Sequence, residues 1–406
     1  MASLIAFQAL RPAPRAAADV AAVPYDVVTT DEARALASGN PLSFLHTSRA
    51  EIDLPAGTDP YSELVYETAR HSFSRLRQQA PLVMDEHPSA YVYRLQMGDH
   101  VQTGVAACFS VDEYDRDVIK KHEKTRRDKE DDRTRHMIEI KAQTGPVFLT
   151  YLASKAVDDT VTRVTTGPPL YDFQAPDGVR HTVWRASGSE RDALVAAFEA
   201  IPYLYIADGH HRAASAARAR QALKSAGDGT SQAADAFLAV AFPHDQVSIL
   251  PYNRVIKDLN GRRPGELLEA LRRTHRVEPG PAVPVKKGDV AMFLAGHWYT
   301  VTLNPHPDPR SPIDGLDVSA LQDQILGPLL NIGDPRVDKR IDFLGGARGT
   351  EGLERAVGSG AGAVAFSLYP VSVSDLMAIS DAGDIMPPKS TWFEPKLRDG
   401  LLIHEI

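Results

Sequence analysis

Apolar and polar positions follow each other along the chain in short blocks, some with a helical period and some with a strand-like one. Residues 61–79 place their apolar side chains near a 3.6-residue period, which predicts an amphipathic helix. A cap at Thr29, followed by acids in the first turn, predicts a helix that ends at Gly39. Residues 89–97 and 102–111 predict two strands of a hairpin or meander. Further strand-like blocks cover residues 4–10, 43–47 and 147–152.

One abrupt change of pattern lies in the middle of the chain. Residues 203–207 are a compact apolar strand, Asp208 and Gly209 interrupt it, and the alanine-rich residues 210–224 predict a helix. Other helices are predicted at 190–200, 316–330, 351–357 and 373–379, and other strands at 236–242, 246–250 and 363–368. Predicted strands and helices alternate too irregularly along the chain for a doubly wound sheet, so the predicted fold class is α/β of mixed α+β character.

The length and the proline distribution predict how the chain is divided. A chain of 406 residues is expected to form two or three domains or subdomains. Residues 263–312 are rich in proline and contain only short strand-like blocks, which is typical of a boundary. We therefore expect an N-terminal and central α/β core at 1–260. A C-terminal α/β subdomain at 261–406 is expected to end in a lysine-bearing closing tail.

Charge and cysteine content exclude several classes of protein. The 45 lysines and arginines stand against 53 aspartates and glutamates, and this net charge of −8 argues against a bulk binder of nucleic acid. The single cysteine, Cys108, cannot form an internal disulfide, which suits a reducing compartment. No stretch reaches the roughly 18 apolar residues of a membrane span, and the first residues lack the cationic start of a secretory signal. We expect a cytoplasmic protein with neither a membrane nor a nucleic-acid partner.

The sharpest local feature is the sequence Asp208-Gly209-His210-His211-Arg212, which follows a predicted strand and begins a predicted helix. Cations in the first turn of a helix face the positive end of its dipole, so an anion bound there would explain them. Backbone N–H groups, the arginine and the imidazoles would then converge on a phosphate. Two other interpretations stay open: a capped helix with exposed histidines, and a metal site that includes Asp208.

The segment 120–133 carries almost only charged side chains. If it is helical, His122, Arg126, Lys129 and Arg133 share one face, and Glu123 lies on an adjoining flank with Glu130. A solvated helix of ion pairs is one interpretation. The other is a phosphate-binding stripe with a glutamate that acts as a general base.

The third chemical feature is the sequence Lys389-Ser390-Thr391 in a proline-rich tail. It is similar to the end of a P-loop, but the glycines that a P-loop needs before the lysine are missing. A loop that brings a lysine and hydroxyls to a site is one interpretation. An ordered tail packed by Trp392 and Phe393 is the other.

Together these stretches resemble the prokaryotic family known as domain of unknown function 1015 (DUF1015). The resemblance runs in order along nearly the whole chain, through Pro24–Val27, Asn40–Leu45, Lys121, His122, Glu123, Thr125, Lys129, Glu130, Arg133, Ala207–Arg212, Pro387, Lys389, Ser390, Thr391, Phe393, Pro395 and Lys396. The family assignment carries little mechanism by itself.

The Asp208–Arg212 stretch is also similar to the phosphate-binding signature of the ParB/sulfiredoxin-like superfamily. That resemblance implies a nucleotide-binding core of this type with added helical and mixed-sheet subdomains. The superfamily includes CTP-using partition proteins, ATP-using sulfiredoxin and free serine kinases, and the stretch resembles the serine kinases most. Position 210 is histidine where sulfiredoxin has its catalytic cysteine, and the helix-turn-helix module of a partition protein is not evident. The resemblance therefore implies a small-molecule kinase that forms O-phosphoserine from free L-serine.

Phosphoryl transfer needs neutralised phosphates, an in-line acceptor and a base, and the resemblance suggests which residues supply them. The nucleotide would be ATP or ADP, with CTP as a third option, and Mg²⁺ would bind through Asp208 or the nucleotide oxygens. The resemblance implies that Gly209, His210, His211 and Arg212 bind the phosphates, and that Lys389 and Ser390 make further contacts to the nucleotide. It implies Glu123 or His122 as the general base, and Lys129 and Arg133 as the residues that stabilise the transferring charge. Asp26 and Ser43 would bind the amino acid.

Two other classes of function stay open on the sequence. One is a nucleotide-binding or nucleotide-hydrolysing regulatory protein of the ParB type. The other is a phosphatase-like hydrolase, which several histidines and aspartates around one metal would favour. A homodimer is an option that the sequence leaves open.

Overall fold

The computed structural model describes residues 1–80, 82–226, 232–306 and 309–406. These residues pack into two compact units. The first unit consists of Met1–Val247 together with Pro395–Ile406, and the second of Ser248–Glu394. The sequence predicts a division at residue 260, whereas the packing assigns residues 248–260 to the second unit and residues 395–406 to the first.

The helices of the described residues are distributed along the whole chain. In chain order they are α1 (Ala17–Val20), α2 (Thr30–Ala37), α3 (Leu45–Ser48), α4 (Glu63–Gln79), α5 (Val111–Asp115), α6 (Arg127–Ile140), α7 (Lys155–Val164), α8 (Gly188–Glu199), α9 (His210–Ala226), α10 (Pro264–Arg272), α11 (Asp317–Leu321), α12 (Gly349–Gly358) and α13 (Val373–Asp381). None of them combines the length and the hydrophobicity that crossing a bilayer requires.

The strands are mostly short. In chain order they are β1 (Leu4–Ile5), β2 (Leu10–Pro12), β3 (Leu82–Met84), β4 (Ala90–Met97), β5 (His100–Ser110), β6 (Ile119–Lys120), β7 (Ala142–Gln143), β8 (Val147–Tyr151), β9 (Tyr171–Gln174), β10 (Arg180–Ala186), β11 (Leu204–Asp208), β12 (Ala236–Pro243), β13 (Ser248–Leu250), β14 (Tyr252–Ile256), β15 (Arg276–Pro279), β16 (Asp289–Leu294), β17 (His297–Thr302), β18 (Ile341–Gly345), β19 (Val364–Ser367), β20 (Trp392–Glu394) and β21 (His404–Glu405).

The main sheet of the first unit has the order β6-β11-β8-β12-β5-β4-β10-β9, and β1 also pairs with β5. Parallel pairs join β6 to β11 and β8 to β12, whereas the other neighbours are antiparallel. This mixed sheet, together with the helices, confirms the predicted mixed α/β class.

The core of the first unit lies against the centre of this sheet. Every residue of β12 is buried, which explains its uninterrupted apolar sequence. Phe237 belongs to the same buried cluster as Phe109 of β5 and Phe198 of α8. The alanines of α9 at 213, 216 and 219 join this core, because their small side chains let the helix approach the strands closely.

A second cluster of the first unit packs the N-terminal helices. Val65, Ala69, Phe73 and Leu76 form the buried face of α4 and contact Phe44 and other apolar side chains. The predicted helix at 61–79 is therefore confirmed apart from its first two residues. The capping box of Thr29 and Glu32 at the start of α2 is confirmed as well.

The second unit contains a sheet with the order β15-β17-β16-β19-β14-β18, in which all neighbours are antiparallel. β13 and β20 form a separate antiparallel pair. Val255, Phe293, Leu353 and Ala365 form a core under α12. The predicted helix at 316–330 is shorter than expected, since α11 ends at Leu321 and a π-helical turn follows at Gln322–Leu326.

The strand predicted at 43–47 is wrong, because Leu45–Ser48 is helical. The Asn40 side chain accepts a hydrogen bond from the Leu42 N–H, at 3.1 Å, and Ser43 Oγ accepts one from the Leu45 N–H, at 3.4 Å. These local side-chain bonds favour a turn and a helix start over an extended strand.

The shared face proposed for residues 122–133 is also wrong, because α6 begins only at Arg127. The N–H of Arg126 donates to His211 Nε2 at 3.0 Å, and the N–H of His122 donates to His210 Nε2 at 3.4 Å. Two imidazoles from α9 thus accept hydrogen bonds from backbone N–H groups that precede α6. His122 and Arg126 belong to the loop before α6.

Candidate active site

The Asp208–Arg212 stretch forms a sharp turn between a strand and a helix, as the sequence predicts. β11 ends at Asp208, and its register against β8 shifts between Ile206 and Asp208. Gly209 has a φ of +93°, a conformation that favours glycine, and α9 begins at His210. The first N–H groups of a helix have no carbonyl partner within the helix. The turn therefore presents the first N–H groups of α9 and the positive end of its dipole at the same point, beside Gly209.

Arg212 lies buried under this turn. Its side chain is 5% exposed, and its Nη1 donates to the carbonyl of Pro146. Its Nη2 lies 3.6 Å from Asp208 Oδ2 and 3.9 Å from Asp26 Oδ2. Its Nε has no hydrogen-bond partner among the residues that the structure describes. A Cβ on Gly209 would come within 3.0 Å of that Nε, so the glycine also makes room for the guanidinium.

Lys396, from the segment that returns to the first unit, reaches the same turn. Its Nζ donates to Asp208 Oδ2 at 3.1 Å, and its side chain is 12% exposed. Burial alone would raise the pKa of Asp208, but Lys396 and Arg212 hold it well below its usual range. Asp208 is therefore a carboxylate shared by two cations.

A second carboxyl group, Asp399, lies deeper in the site. It is 2% exposed, and its Oδ1 has no hydrogen-bond partner within the described part of the chain. The absence of a side chain at Gly145 permits this position, since a Cβ there would come within 2.7 Å of Asp399 Oδ1. Burial raises the pKa of Asp399 to about 7, although Arg212 opposes the rise. Asp399 is thus a carboxyl group that gains and loses its proton near neutral pH.

His210, His122 and Glu123 form a chain of contacts beside the turn. The rings of His122 and His210 pack edge to face with centroids 4.4 Å apart, and both side chains are buried. Because His210 Nε2 accepts from a backbone N–H, its own proton lies on Nδ1, which is 3.5 Å from Glu123 Oε2. Burial lowers the pKa of His122 to about 4 and that of His210 well below its usual value. Both imidazoles are neutral at pH 7, and the Glu123 side chain is about half exposed.

The predicted charge-stabilising residues have other partners. Lys129 Nζ donates to the Tyr61 hydroxyl at 2.6 Å. The Arg133 side chain is 12% exposed, with its Nε donating to Asp132 Oδ2 at 2.6 Å and its Nη1 donating to the Ser48 carbonyl at 3.2 Å. The Arg133 guanidinium also stacks 4.3 Å from the centre of the Tyr25 ring. These contacts join α6 to Ser48 on α3 and to Tyr25 before α2.

The two residues predicted to bind the amino acid differ in their surroundings. Asp26 faces Arg212, as described above, so it belongs to the site. Ser43 is buried, and its Oγ accepts the backbone bond that begins α3.

Lys389 and Ser390 belong to the second unit. Lys389 is exposed, and its Nζ lies 5.4 Å from the centre of the Tyr252 ring. Ser390 is buried and donates from Oγ to the carbonyl of Pro387 at 2.6 Å.

Comparison with known families identifies the chain. A family model described as "Protein of unknown function (DUF1015)" matches residues 4–319. The chain belongs to this family. A search of curated proteins finds no match.

Several solved structures are similar to this DUF1015 protein over much of its length. A mutant of free serine kinase in complex with AMP is 14% identical, with 73% of this chain and 92% of that chain covered and a TM-score of 0.35. Another mutant of free serine kinase, in complex with ADP, is 14% identical over 73% and 92% of the two chains, with a TM-score of 0.34. A conserved hypothetical protein from Pyrococcus furiosus is 15% identical over 74% and 94%, with a TM-score of 0.34. At these scores the likenesses do not establish a shared site.

The residues of this DUF1015 protein do not fit the predicted magnesium site well. Among the described residues no group of three or more histidine, cysteine, aspartate or glutamate side chains is placed to hold a metal ion. Asp208, the predicted ligand, already pairs with Lys396 and faces Arg212. A divalent cation bound there would have to displace the lysine.

Sequence reasoning missed two side chains of the site, Lys396 and Asp399. Lys396 is part of the pattern by which the chain resembles its family, but that pattern gives no reason to place it beside Asp208. Asp399 lies in an Arg-Asp-Gly sequence that is typical of an exposed turn. No local pattern signals that this carboxyl group is buried, because its position depends on close packing against Gly145.

Proposed function

We propose that this DUF1015 protein is a nucleotide-dependent small-molecule kinase whose acceptor is the hydroxyl of free L-serine. The observation that carries the proposal is the buried guanidinium of Arg212. It lies at the start of a 17-residue helix and keeps an Nε without a partner in the described structure. Arginine is the side chain best suited to bind two oxygens of one phosphate, and a helix N-terminus adds donors and a favourable dipole.

The charges around the turn support a phosphate rather than a metal as its ligand. Lys396 pairs with Asp208, so one of the two carboxylates that face Arg212 is already neutralised. His210 is neutral at pH 7, and its Nδ1 lies 3.5 Å from Glu123 Oε2, so the positive charges of the site are those of Arg212 and Lys396. The proposed nucleotide phosphates lie on the N–H groups of α9 and on Arg212.

Glu123 is the proposed general base. Its carboxylate is about half exposed and touches His210, the first residue of α9, so it lies beside the proposed phosphate position and within reach of an acceptor. In the proposed step, the serine hydroxyl gives its proton to Glu123 while its oxygen forms a bond to the terminal phosphorus. The bond from that phosphorus to the bridging oxygen of the nucleotide breaks. His122 is less suited to this role, because it is buried and stacks on His210.

Asp26 supports an amino acid as the acceptor. Its carboxylate lies beside Arg212 and is a suitable partner for an ammonium group. Ser43 is less suited to hold the acceptor carboxylate, because its Oγ already accepts a backbone bond. Three parts of the proposal rest on the resemblance of the Asp208–Arg212 stretch to the free serine kinases. They are serine as the acceptor, a core of the ParB/sulfiredoxin-like type, and ATP or ADP rather than CTP as the nucleotide.

The test is a product assay on the full-length protein. The protein is incubated with MgCl₂ and L-serine and, in separate reactions, with ATP, ADP or CTP, and O-phosphoserine is measured by mass spectrometry. We expect one nucleotide to give a serine-dependent product. Arg212→Lys should lose most of it, because lysine keeps the charge without the fork of donors. The control is Arg180→Lys, an exposed arginine paired with Asp172 in the same unit. Nucleotide hydrolysis without phosphoserine would replace the kinase by a hydrolytic function.

A further inference from the structure

The second unit contains a buried arginine, Arg254, that the proposed kinase function does not use. Arg254 lies on β14, between β18 and β19, and is 3% exposed. Its guanidinium carbon is 5.4 Å from the centre of the Phe343 ring, which lies opposite it on β18. An arginine in the middle of a sheet normally has a carboxylate partner when it is this deeply buried.

Arg254 has no such partner among the described residues, where no carboxylate oxygen lies within 4 Å of its guanidinium. Its Nη1 donates to the carbonyl of Tyr252 and its Nη2 donates to the carbonyl of Pro388 at 3.4 Å. Burial lowers the pKa of Arg254 to about 9, but the group is still charged at neutral pH. A buried charge without a counter-ion is unstable, so an anion supplied from outside the chain would relieve this arrangement.

A second cation, Lys389, lies over the ring of Tyr252, the residue whose carbonyl accepts a hydrogen bond from Arg254. Lys389 Nζ is 5.4 Å from the centre of the Tyr252 ring, and no carboxylate of the described residues pairs with it. The Lys389 backbone has a φ of +57°, which is unfavourable for a lysine and needs support from its surroundings. Ser390 Oγ supplies part of that support, since it donates to the Pro387 carbonyl at 2.6 Å. Tyr252 is held in turn by an edge-to-face contact with Trp392, with ring centroids 5.3 Å apart.

We propose that Arg254 and Lys389 bind a phosphate-type oxyanion in the second unit. Arg254 Nη2 donates to the carbonyl of Pro388, and Lys389 is the next residue in the chain, so the backbone of the lysine lies beside the guanidinium. One anion bound by both side chains would compensate both cations. The side of the site toward Phe343 and Trp392 is aromatic, which suits a small oxyanion carried on a larger, partly apolar molecule. This inference rests on residues of the second unit alone, so it does not depend on the proposed kinase function.

The test is a calorimetric titration of the full-length protein with inorganic phosphate at low ionic strength and pH 7.5. Lys389→Ala should weaken one phosphate site about tenfold or more, since it removes one charge-assisted contact. The matched control is Lys286→Ala, an exposed lysine of the same unit. Arg254→Met should abolish the same site. In phosphate-free buffer it should melt at or above the temperature of the unaltered protein, because it removes an uncompensated charge.

Two results would overturn the inference. One is unchanged phosphate binding in Lys389→Ala. The other is an Arg254→Met protein that melts lower without phosphate and still binds phosphate normally, which is the behaviour of a purely structural arginine. Arg212→Ala separates this inference from the proposed function. If that change removes all phosphate binding and Lys389→Ala removes none, the Asp208–Arg212 turn is supported and the second site is not.

Discussion

Lys396 Nζ donates a hydrogen bond to Asp208 Oδ2 at 3.1 Å, which joins residues 188 positions apart in the sequence. Asp208 also faces Arg212, so the lysine and the arginine compete for one carboxylate. Because Lys396 neutralises Asp208, one carboxylate fewer competes with a phosphate for the positive charge of Arg212. This relationship makes Lys396 part of the proposed phosphate site without requiring it to touch the nucleotide.

Replacing Lys396 by methionine should therefore weaken nucleotide binding about tenfold, because Asp208 would then pair more fully with Arg212. The affinity can be measured by titration calorimetry with the nucleotide that supports phosphoserine formation. The matched control is Lys155→Met, which breaks an exposed lysine–aspartate pair on α7. Equal affinity in the two variants would contradict the role given to Lys396.

Glu123→Gln should lower kcat by about 10²–10⁴ and leave the nucleotide affinity almost unchanged. Glutamine keeps the shape of the side chain but cannot accept the proton of the serine hydroxyl. Steady-state kinetics of phosphoserine formation and a nucleotide titration together give both quantities. Glu199→Gln, at the exposed end of α8, is the control. If Glu123→Gln has a normal kcat, another group is the base.

Gly209→Ala should weaken nucleotide binding, because the added Cβ comes within 3.0 Å of Arg212 Nε and displaces the guanidinium. The substitution should also lower the free energy of unfolding, and about 1–2 kcal/mol of this loss comes from placing alanine in a left-handed backbone conformation. Gly178→Ala isolates that part, since Gly178 has a φ of +83° and a Cβ added there would meet no atom within 4 Å. Both variants should melt lower than the unaltered protein, but only Gly209→Ala should bind the nucleotide more weakly.

Asp399→Asn should change the pH dependence of stability. Burial raises the pKa of Asp399 to about 7 in the folded protein, whereas an aspartate in an unfolded chain has a pKa of about 4. Between these values the folded protein holds a proton that the unfolded chain has released. The contribution of Asp399 to the free energy of unfolding therefore falls as the pH rises and is lost above pH 7.

Asparagine cannot ionise, so the variant does not lose this contribution. Relative to the unaltered protein, its stability should rise by about 1–4 kcal/mol between pH 5 and pH 8, as measured by thermal unfolding. The buried histidines titrate in both proteins, so their effect cancels in the difference. A difference that does not vary with pH would mean that Asp399 is ionised throughout this range.

The fold class and the main elements can be predicted from the sequence because their signals are local. The period of α4, the capping box at Thr29 and the change from β11 to α9 each depend on residues close in the chain. The prediction fails where a distant side chain competes with the local pattern. In the loop before α6, the N–H groups of His122 and Arg126 donate to the distant side chains of His210 and His211. At 43–47, the hydrogen bonds of Asn40 and Ser43 turn a strand-like sequence into a helix start.

In the candidate site, too, the features that depend on neighbouring residues can be predicted, and those that depend on distant residues cannot. The Asp208–Arg212 turn is predictable because strand, glycine and helix are contiguous. The contacts of Glu123 with His210 and of Asp26 with Arg212 join residues that are far apart in the chain, so they depend on tertiary packing. The burial of Asp399 needs the missing side chain at Gly145, and a sequence pattern does not reveal such packing.

A crystal structure of the protein with ADP tests the central claim most directly. The claim is that the Asp208–Arg212 turn holds the phosphates of a nucleotide. We predict that phosphate oxygens lie within hydrogen-bond distance of the first N–H groups of α9 and of the Arg212 guanidinium. Lys396 is expected to stay on Asp208. ADP phosphates bound elsewhere on the chain, with Arg212 still facing Asp26 and Asp208 alone, would contradict the account.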